Sequence, residues 1–279
     1  MIRELIVNDW IRQNQEDLSH LAICSRLIVD AHLIEDKNNP HIVVFDTDFK
    51  KQGFINRIVR FVLSCHENDI KIQYTGIYIM KQYKEDLWKV LYRYAKEKKE
   101  IEKKTKKEWM TQLIRAVNIL HGEQIAHLDI KPGNVFVDED DNLCLGDFGL
   151  AAPCVKDGPF MKTLRPYLWN MDIFVCTVGF RPPELYNPLP PHDPKWDKYS
   201  ELDWLKLRGY DIFALGMTLL CIEMRWPHPP RSGNAKEAHE FYQTKIWPLR
   251  DDERESRLVR DIVINMLHPE NDKRKMIEL

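Results

Sequence analysis

The stretch HLDIKPGNVFVDEDDNLCLGDFGLAAP, residues 127–153, places Asp129, Lys131, Asn134 and Asp147 near one another in the chain. Carboxylate and amide oxygens are the ligands a hard divalent cation takes, and a lysine ammonium is a point charge suited to phosphate. Two apolar runs, Val135-Phe136-Val137 and Leu143-Cys144-Leu145, flank the acidic turn from Asp138 to Asn142. Apolar triplets on both sides of such a turn predict a β-hairpin. The hairpin would carry the polar residues before its first strand and after its second to one end. A site for metal-bound phosphate is the chemistry this convergence suits. The acidic turn fails as a calcium loop, because Leu143 stands where the EF-hand needs glycine. It reads as a turn.

Several elements must hold that hairpin. Upstream, TKKEWMTQLIRAVNILHGEQ spaces Trp109, Leu113, Ala116, Val117 and Leu120 along one helical face, with Gly122 as a stop signal. The run KEKKEIEKKTKKE before it mixes charge signs and reads as a solvated helical connection. Nearer the start, SRLIVDAHLIE and HIVVFDTDF read as two strands joined by the turn DKNNP. FINRIVRFVLSCH has helical spacing, and IKIQYTGIYIMKQY gives two β-rich pieces around a glycine. Beyond the hairpin, NPLPPHDPKWDKYS is too rich in proline for a regular helix or central strand. The apolar run from Ile212 to Met224 predicts a buried helix, and another helix is expected over Arg257 to Leu267. The expected architecture is α+β in a single domain over residues 1–279. A small β-rich lobe spans 1–80, a hinge 81–86, and a larger helical lobe 87–279.

Composition narrows the function classes. The chain has 279 residues, 44% hydrophobic and 30% charged, enough for one large domain with a sizeable core. Lys and Arg number 41 against 43 Asp and Glu, so neither nucleic acid nor an anionic membrane is expected as a partner. The six cysteines form no CxxC pair, and a reduced intracellular compartment is the simple expectation. The start, MIRELIVNDWIRQNQ, lacks the apolar core of a signal peptide. His192, His228 and His239 have no metal-ligand spacing, and the eight tryptophans are expected mostly in the core or at lobe contacts.

Five motifs in order resemble the protein kinase family. His127-Leu-Asp129-Ile-Lys131-Pro-Gly-Asn134 is similar to the catalytic loop H-R-D-x-x-x-x-N, and Asp147-Phe148-Gly149 matches D-F-G. Thr177 to Glu184 resembles the segment ending in A-P-E. Tyr210-Asp211-Ile-Phe-Ala-Leu-Gly216 resembles the start of the family's central buried helix, and Met266 to Arg274 the closing motif whose Arg pairs with that Glu. The resemblance implies a two-lobed protein-kinase-like fold and transfer of the γ-phosphoryl group of ATP to protein substrates with Mg2+. It makes Asp129 the residue that takes or orients the proton of the attacking hydroxyl. Asn134 and Asp147 become the Mg2+ ligands, and Lys131 and Thr177 lie near the transferring group. Lys131 implies serine or threonine hydroxyls as acceptors. Upstream, GIYIMKQYKEDLWKVL resembles the family's hinge. Met80 would be the gatekeeper, Lys81 and Gln82 would offer backbone groups to adenine, and Asp86 would reach the ribose.

The front half departs from the pattern. No glycine precedes Gly53, where a Gly-rich nucleotide loop is expected. HIVVFDTDF offers Phe45 or Asp46 for the strand lysine, and Asn56 or Arg57 falls where its partner Glu is expected. Lys50 and Lys51 are candidate substitutes for the lysine. Leu128 replaces the Arg that often meets a phosphorylated activation segment. These departures support an alternative, a pseudokinase that binds or scaffolds another kinase or its substrate. The reduced front lobe is similar to short kinases of large DNA viruses or intracellular bacteria, which implies the cytoplasm or nucleus of a host cell.

Overall fold

β-Branched and aromatic runs ahead of residue 81 pair as one antiparallel sheet in the computed structural model. It describes residues 4, 7, 8, 11, 19–22, 24–33, 42–48, 72–153, 176–186, 204–230 and 234–279. Strands β1 (Cys24–Leu33), β2 (Ile42–Asp48) and β3 (Ile72–Met80) lie in the order β2-β1-β3. The two expected strands are present, with Val29 of β1 opposite Phe45 on one side and Gly76 on the other. IQYTGIYIM is one strand, not two pieces around a glycine. Gly76 keeps the ladder's register, and the irregularity falls between Cys24 and Arg26 instead. A single glycine weakens a strand without ending it while a partner runs past on an unbroken ladder. The helix expected over 54–66, Lys50 and Lys51, and His192 lie outside the described residues.

Val7, Ile11 and Leu21 are buried in the core of the helical body, and Asn8 is buried beside them, its amide bonded one turn back to the Glu4 carbonyl.

After β3 the chain enters β4 (Glu85–Asp86) and helix α1 (Leu87–Glu97). Asp86 caps α1 by accepting the Lys89 N–H at 2.9 Å, and Leu87, Val90 and Leu91 form its buried stripe. Trp88 departs from the expected core placement. It is exposed on the opposite face and stacks on Tyr92 with ring centroids 5.4 Å apart. The run KEKKEIEKKTKKE is not one continuous helical connection. Helix α1 closes at Lys98, which takes a left-handed φ of 55° and returns its N–H to Ala95, and helix α2 (Lys103–Gly122) starts only at Lys103. Between them Ile101 is buried in the core, so an apolar anchor breaks the charged run. Helix α2 buries all five residues of its predicted face, Trp109, Leu113, Ala116, Val117 and Leu120. It ends at Gly122, but Gln124, with φ 53°, takes the left-handed position beyond it.

Helix α3 (Trp204–Met224) is buried from Gly209 to Ile222 without a polar face, as a helix in the centre of a core must be. Helix α4 (Ala235–Phe241) and helix α5 (Arg257–Asp261) each widen at their ends into a π-turn, over Tyr242–Ile246 and Ile262–Met266. The result is the expected α+β class, a small antiparallel sheet and a larger helical body. Among the described residues, no helix is long and apolar enough to cross a membrane.

Met266 and Leu267 approach α3 closely at Gly216. A Cβ there would lie 2.8 Å from Met266 Cβ and 2.9 Å from Leu267 Cδ2. Gly216→Ala is expected to cost about 1–3 kcal/mol by overpacking, measured as a lower urea midpoint with an unchanged slope. The buried thiols give a second test. Burial pushes Cys144 up to about 11 and raises Cys176 and Cys221 as well. At pH 8 these three should resist iodoacetamide until the chain is unfolded, as mass spectrometry of the peptides will report.

Candidate active site

The predicted hairpin is strands β6 (Val135–Val137) and β7 (Leu143–Leu145), paired Val135 to Leu145, Phe136 to Cys144 and Val137 to Leu143. A short strand, β5 (Ile125–Ala126), precedes it, and β8 (Ala152–Pro153) returns to pair with β5. The acidic turn is folded by its own aspartate, since Asp138 Oδ1 accepts the N–H groups of Asp140 and Asn142 at 3.0 and 2.9 Å. Burial works to raise the Asp138 carboxyl, but bonds from the Asn142 N–H, Lys81 and the Asp140 N–H outweigh it and hold the group below its ordinary range. Helix α2 fixes the turn: Trp109 Nε1 donates to the Asp141 carbonyl at 2.9 Å and Gln112 Oε1 accepts from Leu143 N at 2.8 Å. At the open end, Gly146 N donates to the Asn134 carbonyl at 2.9 Å. That bond joins Asn134, before the first strand, to the residue preceding Asp147.

The loop before the hairpin hangs from Asp211, fully buried in α3. Its Oδ2 accepts from His127 N at 2.7 Å and its Oδ1 from Leu128 N at 2.8 Å. His121 Nε2 lies 3.0 Å from the same carboxylate. Leu128, buried at φ 65°, is thus held in a left-handed conformation that costs a non-glycine residue about 1–3 kcal/mol. His127 is buried too, with Nε2 bonded to the Gly146 carbonyl at 2.9 Å and Nδ1 accepting from Asp129 N at 3.3 Å.

Asp129 is the hub. Oδ1 accepts from Thr177 Oγ1 at 2.6 Å and Thr177 N at 3.2 Å. Oδ2 accepts from Lys131 Nζ at 2.7 Å and Asn134 Nδ2 at 3.0 Å. Lys131 also donates to Thr177 Oγ1 at 2.8 Å, closing a ring of side chains around the carboxylate. Each oxygen accepts two bonds, which is how a nearly buried carboxylate is satisfied and oriented.

Asn134 and Asp147 are the residues that would hold a magnesium ion. Asn134 spends its Nδ2 on Asp129, leaving the amide oxygen uncommitted. Asp147 is exposed at φ 61°, and its carboxylate accepts one long bond, 3.4 Å, from Gly149 N. Among the described residues no three His, Cys, Asp or Glu side chains cluster. An ion here would have few protein ligands, which suits Mg2+, since it keeps waters and substrate phosphates around it.

Of the hinge residues, Lys81 and Lys84 reach the hairpin's turn, while Asp86 pairs with Phe136 in the middle of β6. Met80 ends β3 opposite Cys24. Lys81 Nζ pairs with Asp138 at 3.2 Å, and Lys84 N donates to the Val137 carbonyl at 2.9 Å. No backbone hydrogen bond ties Lys81 or Gln82 to another described residue. Asp86, expected to reach a ribose, is engaged locally, capping α1 and pairing with Lys89 Nζ at 2.9 Å.

The expected closing pair is present. Arg274, fully buried, meets Glu184 through two bonds of 2.8 and 2.7 Å, and Asn271 adds a third at 3.2 Å. Sequence reading missed the task of Asp211 and the part of Asn271. Both act on partners at least 83 residues away, and motif likeness alone marked the first.

A sequence profile described as the protein kinase domain matches residues 35–278, and the chain belongs to that family. Its small sheet and helical body are the family's two-lobed α+β fold. Serine/threonine-protein kinase ppk34 of Schizosaccharomyces pombe is 37% identical over 111 residues, 40% of this chain and 25% of its own length. Human serine/threonine-protein kinase Nek2 is 36% identical over 148 residues, 50% of this chain and 30% of its own. Mitogen-activated protein kinase sma-5 of Caenorhabditis elegans is 34% identical over 92 residues, 33% and 18% of the two chains. The matched region therefore spans less than a third of the length of each of these relatives.

Removing one partner of a buried ion pair strands the other charge. Glu184→Ala is expected to lower unfolding free energy by about 3–5 kcal/mol, read from denaturant melts.

Proposed function

We propose that this chain is a serine/threonine protein kinase that transfers the γ-phosphoryl group of ATP to protein hydroxyls with Mg2+. The observation that carries the reading is the ring around Asp129, where Lys131, Asn134 and Thr177 converge on one carboxylate. Folding alone does not need four polar side chains gathered at the mouth of a loop. In the proposed mechanism Asp129 takes or orients the proton of the acceptor hydroxyl. With both carboxylate oxygens in use, an incoming alcohol takes the place of one donor, and the Thr177 hydroxyl, a donor of the same kind, is the one to exchange. Lys131 holds positive charge beside the transferring group. Asn134 and Asp147 would hold Mg2+, which neutralises phosphate charge when bound. The backbone groups of Lys81 and Gln82, without a backbone partner among the described residues, would serve adenine beside Met80, with Asp86 nearest the ribose. The serine/threonine names of the relatives and Lys131 support the same acceptor class.

The pseudokinase alternative rests on the missing Gly-rich loop, on Phe45 or Asp46 in place of the strand lysine, and on Asn56 or Arg57 in place of its glutamate. Residues 56 and 57 lie outside the described residues. Helical residues 4, 7, 8 and 11 stand ahead of β1, so residues 54–66 are not the sole place to seek a helix before the hinge strand. β1, rather than β2, lies beside β3.

Incubation with γ-labelled ATP, Mg2+ and a basic protein substrate tests the proposal. The parent should transfer label to Ser or Thr, and Asp129→Asn should lose about 10²–10⁴-fold in rate. Asp147→Asn should fail with it, while Thr177→Ser retains activity that Thr177→Ala loses. A parent without transfer or Mg2+-dependent nucleotide binding would favour the scaffold instead.

A further inference from the structure

Residues 19–22 run alongside β7 on the edge that β6 leaves free. Leu21 forms a parallel bridge with Leu145. Ala22 N donates to the Leu145 carbonyl at 2.8 Å, and Leu145 N donates to the His20 carbonyl at 2.9 Å. Cys144 Sγ adds a contact to the Ser19 carbonyl at 3.3 Å. Because Leu145 also faces Val135 of β6, the last residue of β7 is flanked on both sides directly before Gly146 and Asp147.

The fit at Gly146 leaves no slack. A Cβ there would sit 2.8 Å from Ala22 Cβ, 2.9 Å from Phe136 Cε2 and 3.2 Å from the Ala22 carbonyl oxygen. The N–H and carbonyl of Gly146 are committed to Asn134 and His127. Asp147 follows in a left-handed conformation with one long bond of its own. A non-glycine residue keeps such a conformation only where its surroundings dictate it. Here the surroundings are the rail of Leu145 and Gly146, and residues 20–22 form one side of it.

We propose that residues 20–22 are a positioning element for Asp147. They hold the end of β7 so that the carboxylate stays within reach of an ion shared with Asn134. The inference rests on the reading of Asp147 and Asn134 as magnesium ligands.

The test is calorimetric titration of ADP at a series of Mg2+ concentrations. Ala22→Pro deletes the N–H given to Leu145. Val7→Ala is the control, loosening the core elsewhere in the same segment. Ala22→Pro should raise the Mg2+ concentration needed for half-maximal ADP binding by about 10-fold or more, the usual effect of losing an outer support of a metal ligand. Binding of metal-free ADP should not change, and Val7→Ala should leave the Mg2+ dependence in place despite a lower melting temperature. Gly146→Ala should show the same defect, and adding Ala22→Gly, which removes the nearest atom, should recover part of it. If Ala22→Pro does not fold, this second pair decides alone. Equal Mg2+ dependence in parent, Ala22→Pro and Gly146→Ala overturns the proposal, as does a shift in Val7→Ala that matches theirs. If Asp147→Asn loses Mg2+ dependence while Ala22→Pro keeps it, the positioning role falls and the kinase reading stands. If the parent itself binds no ADP in response to Mg2+, both fall.

Discussion

The carboxylate of Asp211 is the constraint on which the site depends. A fully buried charge is tolerable only when it is paired or hydrogen-bonded, and here its partners are the backbone of His127 and Leu128 and the ring of His121. The desolvation that burial imposes is thereby turned into a placement. From this anchor one line of bonds runs through His127 to Gly146 and so to Asn134 and Asp147. Another runs from Leu128 to Cys176, whose N–H meets the Leu128 carbonyl at 2.9 Å, and so to Thr177. Both halves of the site are hung from one side chain on the most deeply buried helix. That is how a loop acquires the precision of a rigid element.

The segment 176–186 is held at its two ends by different physics. At Glu184 it is gripped by a buried guanidinium that also lies over the Phe213 ring, 5.0 Å from its centroid. At Cys176 it joins an apolar cluster with Ala126, Leu128, Ala152, Leu207 and Tyr210. Leu128 stands where the family often has an arginine, and the cluster gives it a packing role. Apolar burial asks for no phosphate and is insensitive to salt. The front of the site is therefore braced by contacts that the chain supplies itself.

Saturation of Asp129 has a similar logic. On a nearly buried carboxylate, unpaired lone pairs would cost more than the bonds return, so each oxygen is met by two donors. Lys131 and Thr177 satisfy the carboxylate and at the same time fix each other.

The amino-acid sequence by itself determined what depends on neighbours close in the chain. The hairpin at 135–145, the buried face of α2 and the buried helix at Ile212 follow from period, turn chemistry and apolar content. The grouping of Asp129, Lys131 and Asn134 was legible for the same reason, since a loop that short leaves little choice. Tertiary structure decided the rest. Local pattern gave no sign that Ile101 would break the charged run, that Gly76 would sit in an unbroken strand, or that Trp88 would face solvent. It also could not say that Val7, Ile11 and Leu21 would join the core of the helical body, or that residues 19–22 would line β7. These outcomes turn on which of several apolar surfaces offers the better burial, and that competition is settled only when segments far apart in the chain are brought into contact.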